Sequence, residues 1–102
     1  LEQHGWLCEA RFVEAVLHAR RGRFGAARIV RELRSKGASG EAVERAAAEA
    51  ARTELQAARE VWRRKFGHAP ANLAERARQA RFLASRGFAS DVIRRVLDGR
   101  ED

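Results

Sequence analysis

Few residues in this chain are spaced for bond-making chemistry, and many are spaced for charge recognition. His4 and Cys8 stand four apart, as two metal ligands on a helix would, but Gly5 between them is expected to break that helix, and no second ligand pair accompanies them. His18 and His68 have no nucleophile nearby, and no glycine-rich loop follows a strand to cradle a phosphate. The carboxylates sit at helix-pairing and capping spacings. These positions offer no catalytic constellation and no cofactor site, so the chain does not read as an enzyme.

The cations differ. From Arg20 to Lys36 there are seven (Arg20, Arg21, Arg23, Arg28, Arg31, Arg34 and Lys36) against the single acid Glu32. Further groups follow at Arg59, Arg63, Arg64 and Lys65, at Arg76, Arg78, Arg81 and Arg86, and at Arg94 and Arg95. A solvated helix ordinarily mixes signs, because ion pairs one turn apart support it and like charges there oppose it. The helix over 26–36 forgoes that support. Two readings stand beside each other: a surface for a polyanion or an acidic protein, and a solvated face in an arginine-rich chain. The overall balance of +7, with 21 Lys and Arg of which only Lys36 and Lys65 are lysine, is compatible with both.

These cations must be positioned by helices. No stretch alternates apolar and polar residues as a strand would, and the only proline, Pro70, falls in a turn. Helices are expected over 9–20, 26–36, 39–52, 54–66, 72–86 and 90–97. Phe12, Val16 and Ala19 with Ala15 form the expected inner stripe of the first; Ile29, Val30 and Leu33 that of the second; Val43, Ala46 and Ala50 that of the third; and Leu55, Ala58, Trp62 and Phe66 that of the fourth. A turn is expected at Gly5, after the end of a preceding helix, with Trp6 and Leu7 packing on the next unit. Gly37 suits a left-handed helix end, Ser39 an N-cap, Thr53 with Gln56 a capping box that separates the third and fourth helices, and Asn72 with Glu75 another.

The plan repeats. Ala27, Arg28, Arg31, Leu33, Ser35, Gly37 and Arg45 recur fifty positions later as Ala77, Arg78, Arg81, Leu83, Ser85, Gly87 and Arg95. Self-similarity at such a period marks stacked supersecondary units, each too thin to bury a core alone. The expected fold is all-α, with tandem three-helix repeats stacked into an elongated, curved array. Residues 1–8 would end a first repeat, 9–52 form a second, 53–98 a third, and 99–102 a frayed tail. The chain opens at Leu1 and contains no Met, so it is expected to be part of a longer product. It has no apolar run long enough to span a membrane, and the lone Cys8 fits a reducing compartment.

Helices joined by a tight glycine turn also suggest a helix-turn-helix DNA reader, but Glu41-Ala42-Val43-Glu44-Arg45-Ala46 offers acids and small residues where base-reading side chains belong. Of the aromatic residues, Phe24 and Phe82 are the two expected to be partly exposed, packing across the repeat junction in preference to stacking on a base.

A resemblance can be placed on these residues. Arg11-Phe12-Val13, Arg20-Arg21-Gly22, Gly25 to Leu33 and Lys36-Gly37 resemble the middle repeat of the RecX family. Residues Ala77 to Leu97, around Arg81-Phe82-Leu83-Ala84-Ser85-Arg86-Gly87-Phe88, resemble its last repeat, and Leu1 to Leu7 is similar to the end of its first. Ala89 stands where that family often has a capping Ser, and Ser90 is expected to take over. The resemblance implies a bacterial cytoplasmic protein, monomeric and without a cofactor, that lodges in the helical groove of RecA filaments on single-stranded DNA. It would inhibit RecA's ATPase, coprotease and strand-exchange activities and so limit recombination and the SOS response. The expected contact residues are Arg20, Arg21, Arg23, Arg28 and Arg31 in the middle repeat and Arg63, Arg64, Arg78, Arg81 and Arg86 in the last, facing acidic RecA surface and, in a weak salt-sensitive way, DNA phosphate. The alternative is a stand-alone basic helical module that binds nucleic acid through its phosphates.

Overall fold

A computed structural model of the chain describes the backbone of residues 2–99 and the side chains of 9–99. Six helices follow one another: α1 (Glu2–Arg20), α2 (Ala26–Ser35), α3 (Gly40–Arg52), α4 (Glu54–Lys65), α5 (Leu73–Ser85) and α6 (Ser90–Leu97). They form two three-helix units. In the first, Val13 and Leu17 of α1 meet Ile29 and Leu33 of α2 and Val43, Ala46 and Ala50 of α3. In the second, Ala57 and Ala58 of α4 meet Leu83 of α5, the turn residue Phe88, and Ile93, Val96 and Leu97 of α6. Ile29, Leu33 and Leu83 are wholly buried, and each such side chain contributes about 1.5–3 kcal/mol. Stacked end to end, the units span 56 × 23 × 20 Å with a radius of gyration of 15.5 Å, against about 13 Å for a compact domain of this length.

Both units turn from their second helix to their third in the same way. Gly37 (φ +97°) and Gly87 (φ +88°) take the left-handed conformation. Ala38 N–H then donates to Leu33 O at 3.0 Å, and Phe88 N–H to Leu83 O at 3.3 Å, the closing bond of a Schellman turn. The Asn72 cap forms as expected: its Oδ1 accepts from Glu75 N–H at 2.8 Å while Glu75 Oε1 accepts from Ala71 N–H at 2.7 Å. A buried amide joins α4 to α5: Trp62 Nε1 donates to Gln79 Oε1 at 2.9 Å.

Four expectations are corrected. The backbone of α1 is helical through Gly5 without a turn; a lone glycine costs a helix only about 1 kcal/mol, which its neighbours can offset. The His4–Cys8 pair and the packing of Trp6 and Leu7 concern side chains outside the described residues. The inner stripe of α1 is rotated: Val13 and Leu17 are buried, Phe12 and Val16 half-buried, and Ala15 and Ala19 exposed, because the larger side chains Val13 and Leu17 fill the space that alanines would leave open. On α4, Ala57 and Ala58 are buried while Leu55, Trp62 and Phe66 are half-buried.

The fourth correction concerns capping. The break between α3 and α4 falls at Thr53 as expected, but Thr53 makes no side-chain cap bond and its Oγ1 has no partner. Nor do the side chains of Ser39 and Ser90 cap: Ser39 stands at the N-cap of α3 and Ala89 at that of α6, each without a side-chain cap bond. Glutamates from the leading helix of each unit take over. Glu9 Oε2 accepts from Ser39 N–H at 3.0 Å, and Glu54 Oε2 accepts from Ala89 N–H at 2.8 Å. Each accepts from the N-cap residue's own N–H, the bond that the Glu or Gln of a capping box makes locally and that here comes from another helix.

Candidate functional site

The two units meet along a narrow seam. Gly25 N–H donates to Arg86 O at 2.8 Å, and a Cβ on Gly25 would stand 2.2 Å from Gly87 O. Only glycine allows the two backbones to approach so closely. Arg28 donates to Ser85 O at 3.0 Å, placing a cation on the negative end of α5. On the opposite side of the chemistry, the buried Glu54 carboxylate accepts from Ala26 N–H, the first residue of α2, at 3.3 Å, and from Ala89 N–H at 2.8 Å. Glu54 itself opens α4, so three positive helix ends converge on one carboxylate.

Along this seam cations and aromatic rings alternate. The Arg28 guanidinium lies 4.4 Å from the Phe24 ring centre and that of Arg86 5.1 Å from it. Arg86 is also 5.2 Å from the Phe82 ring, which Lys65 approaches to 5.3 Å and Phe66 meets edge-on at 5.5 Å. The result is a ladder, Arg28–Phe24–Arg86–Phe82–Lys65, that crosses from the first unit to the second. Ring faces draw the cations in, so like charges gather without carboxylates between them. Both phenylalanines are half-buried, partly exposed as expected.

At its first-unit end the ladder opens into a depression lined by Arg20, Phe24, Arg28, Arg31 and Glu32. Here Arg20 is anchored: its Nε is 3.1 Å from Glu32 Oε1. That hydrogen bond, more than the attraction of the charges, holds the Glu32 carboxyl below its ordinary value and raises Arg20. A carboxyl lowered by folding contributes stability above its unfolded value and loses it as pH falls through the folded one. Glu32→Gln is therefore expected to flatten the fall in melting temperature on the acid side of the carboxylate range, relative to the parent chain. Parallel acid melting curves for the two would remove the pair from the stability of the depression.

The remaining expected contact residues divide. Arg21 turns to the other side of α1, 3.5 Å from Glu49 of α3. Arg63 pairs with Glu60 at 2.7 Å, and Arg78 approaches Glu75 to 3.9 Å. Arg23, Arg31, Arg64 and Arg81 are exposed, and among the described residues no carboxylate pairs with them. Sequence alone placed Lys65 in a cluster without giving it a role, and gave Glu54 none, since only its neighbours Thr53 and Gln56 were read as a capping box. Aligning the two units on their leading helices, Glu9 with Glu54, is the signal that would have exposed it. Among the described residues no cluster of His, Cys, Asp and Glu could hold a metal ion, and no helix is long and apolar enough to cross a membrane.

The chain is similar to known proteins. Residues 52–97 match the family model described as RecX, third three-helix domain. A regulatory protein RecX from Leptothrix cholodnii is 54% identical over 97 residues, covering 95% of this chain and 62% of that protein. One from Ralstonia nicotianae is 40% identical over 101 residues, 99% of this chain and 64% of the relative. In Herminiimonas arsenicoxydans the identity is 39% over 102 residues, all of this chain and 68% of the relative. The chain thus spans a little under two thirds of the length of the first two. No solved structure matches it.

Proposed function

The chain belongs to the RecX family, and from that premise we propose that it regulates RecA by seating on RecA filaments assembled on single-stranded DNA. In this reading it restrains the filament's ATPase, coprotease and strand-exchange activities, and it does so by binding, with no covalent step of its own. It acts as a monomer in the bacterial cytoplasm, with residues 9–52 and 53–98 as the second and third repeats and 1–8 as the end of the first. The observation that supports this most is the ladder across the seam. A cation row held by rings and helix ends, with few carboxylates to satisfy it, is built to meet acidic protein surface and nearby phosphate.

The test is a titration of RecA's DNA-dependent ATPase at moderate salt with the chain below RecA in concentration. Slowing is expected, and an unrelated basic peptide of equal charge is expected to give none. Equal inhibition by that peptide would reduce the effect to competition for DNA, the behaviour of a stand-alone nucleic-acid module. Joint reversal of Arg23 and Arg64 to Glu, which breaks no ion pair among the described residues, is expected to weaken inhibition about fivefold to tenfold with helicity by circular dichroism unchanged. Undiminished inhibition would move the contact surface elsewhere.

A further inference from the structure

Each unit carries a shallow groove between its second and third helices, and the two grooves share part of their lining at equivalent positions. Between α2 and α3 the floor is Ala27, Val30 and Ala47, with the exposed Arg31 and Arg34 beside it. Between α5 and α6 the floor is Ala80, Ala84 and Leu97, with the exposed Arg81 and Arg94 beside it. Val30 and Ala80, Arg31 and Arg81, and Ala47 and Leu97 correspond at the fifty-residue offset. Small side chains leave the floor low enough for an incoming apolar residue, and the cations beside it have no carboxylate among the described residues. A third arginine in the second groove, Arg76, is already held by Asp98 at 3.0 Å.

We propose that both grooves dock the same kind of occupant: a short acidic amphipathic segment that sets an apolar side chain on the alanine floor and a carboxylate on Arg31 or Arg81. Charge complementarity selects the acidic segment over a basic or neutral one. Repetition sets the number: the shared pairs Val30/Ala80, Arg31/Arg81 and Ala47/Leu97 present one apolar-plus-cation pattern twice, fit for two copies of one ligand, as a polymer of identical subunits supplies. Arg31 also lines the depression at the ladder's end, so the first groove and the ladder form one continuous contact. This rests on the RecA reading above and deepens it, turning one basic strip into a strip flanked by two specific docking points. Linking two such points raises overall affinity through effective concentration without any new contact.

The test compares the parent chain with Ala27→Trp, Ala84→Trp and the double variant. Both alanines are exposed in the free chain, so the indole fills the groove without entering the core or altering charge. Inhibition of RecA's ATPase is expected to weaken about tenfold with one groove filled and by on the order of a hundredfold with both. A photo-crosslinking phenylalanine analogue at 27 or at 84 is expected to mark the same acidic segment of RecA, on two subunits. A double variant that inhibits like the parent overturns the docking proposal and leaves the RecA reading standing, as do crosslinks from the two sites to different RecA segments or to DNA. A parent chain that does not touch RecA filaments overturns both.

Discussion

Glu54→Ala is expected to destabilise the chain by about 3–4 kcal/mol, the cost of removing a buried charged acceptor from two part-buried hydrogen bonds. For a domain whose whole stability is about 5–15 kcal/mol, that is a large share, and it corresponds to a fall in melting temperature of roughly 15–25 °C. The two bonds are not equal. Ala89 N–H is 2.8 Å away and Ala26 N–H 3.3 Å, so the bond within the second unit is the stronger and the bond across the seam the weaker. Glu54→Gln keeps one carbonyl oxygen and turns an NH2 group toward the other amide. If that oxygen stays on Ala89, the second unit holds and the seam loosens. The expected signature of Glu54→Gln is thus a smaller loss of stability, roughly half, together with a radius of gyration in solution above that of the parent chain. An alanine variant that melts within about 2 °C of the parent would show that the three helix ends do not depend on this carboxylate.

The role of Glu54 shows where the sequence was transparent and where it was not. Helix order, the break at Thr53, the glycine turns at Gly37 and Gly87 and the inner faces of α2 and α3 follow from spacing within a dozen residues, and such local signals survive folding. The faces of α1 and α4 were read less well because apolar residues stand on more than one side of each, Phe12, Val13, Val16 and Leu17 on α1 and Leu55, Ala57, Ala58, Val61 and Trp62 on α4, so the neighbours decide which side turns inward. The capping of α3 and α6 was misread for a different reason: the N-cap N–H of each is held by a carboxylate delivered from another helix, and no local spacing shows which distant glutamate that is. Of the arginines, sequence gave the clusters but not their partners. Arg20 and Arg21 are adjacent in the chain and part company in space, one toward Glu32 and the other toward Glu49, because neighbours on a helix point about 100° apart.

Gly87→Ala is expected to open the seam, and the repeat supplies its control. Gly37 and Gly87 occupy the same place in the two units and both adopt positive φ, +97° and +88°. An alanine at either pays the left-handed backbone penalty of about 1–2 kcal/mol. At Gly37 the new Cβ would meet nothing within 4 Å, whereas at Gly87 it would lie 2.4 Å from Arg28 Cβ and 2.8 Å from Arg28 N. Any excess cost of Gly87→Ala over Gly37→Ala therefore measures the seam alone. We expect Gly37→Ala to lower the melting temperature by roughly 5–10 °C and, on the proposed function, to leave RecA inhibition intact. Gly87→Ala should melt lower still, lose the ladder's register as Arg28 and Arg86 move apart, and inhibit at least tenfold more weakly. Gly25→Ala approaches the same seam from the other unit without a positive φ to confuse the reading: its Cβ would meet Gly87 O at 2.2 Å, and backbone cannot swing aside as a side chain can. If Gly25→Ala and Gly37→Ala prove equally mild in melting and in inhibition, the units tolerate a wider gap than these distances allow, and the continuity of the cation row across the junction would no longer explain activity.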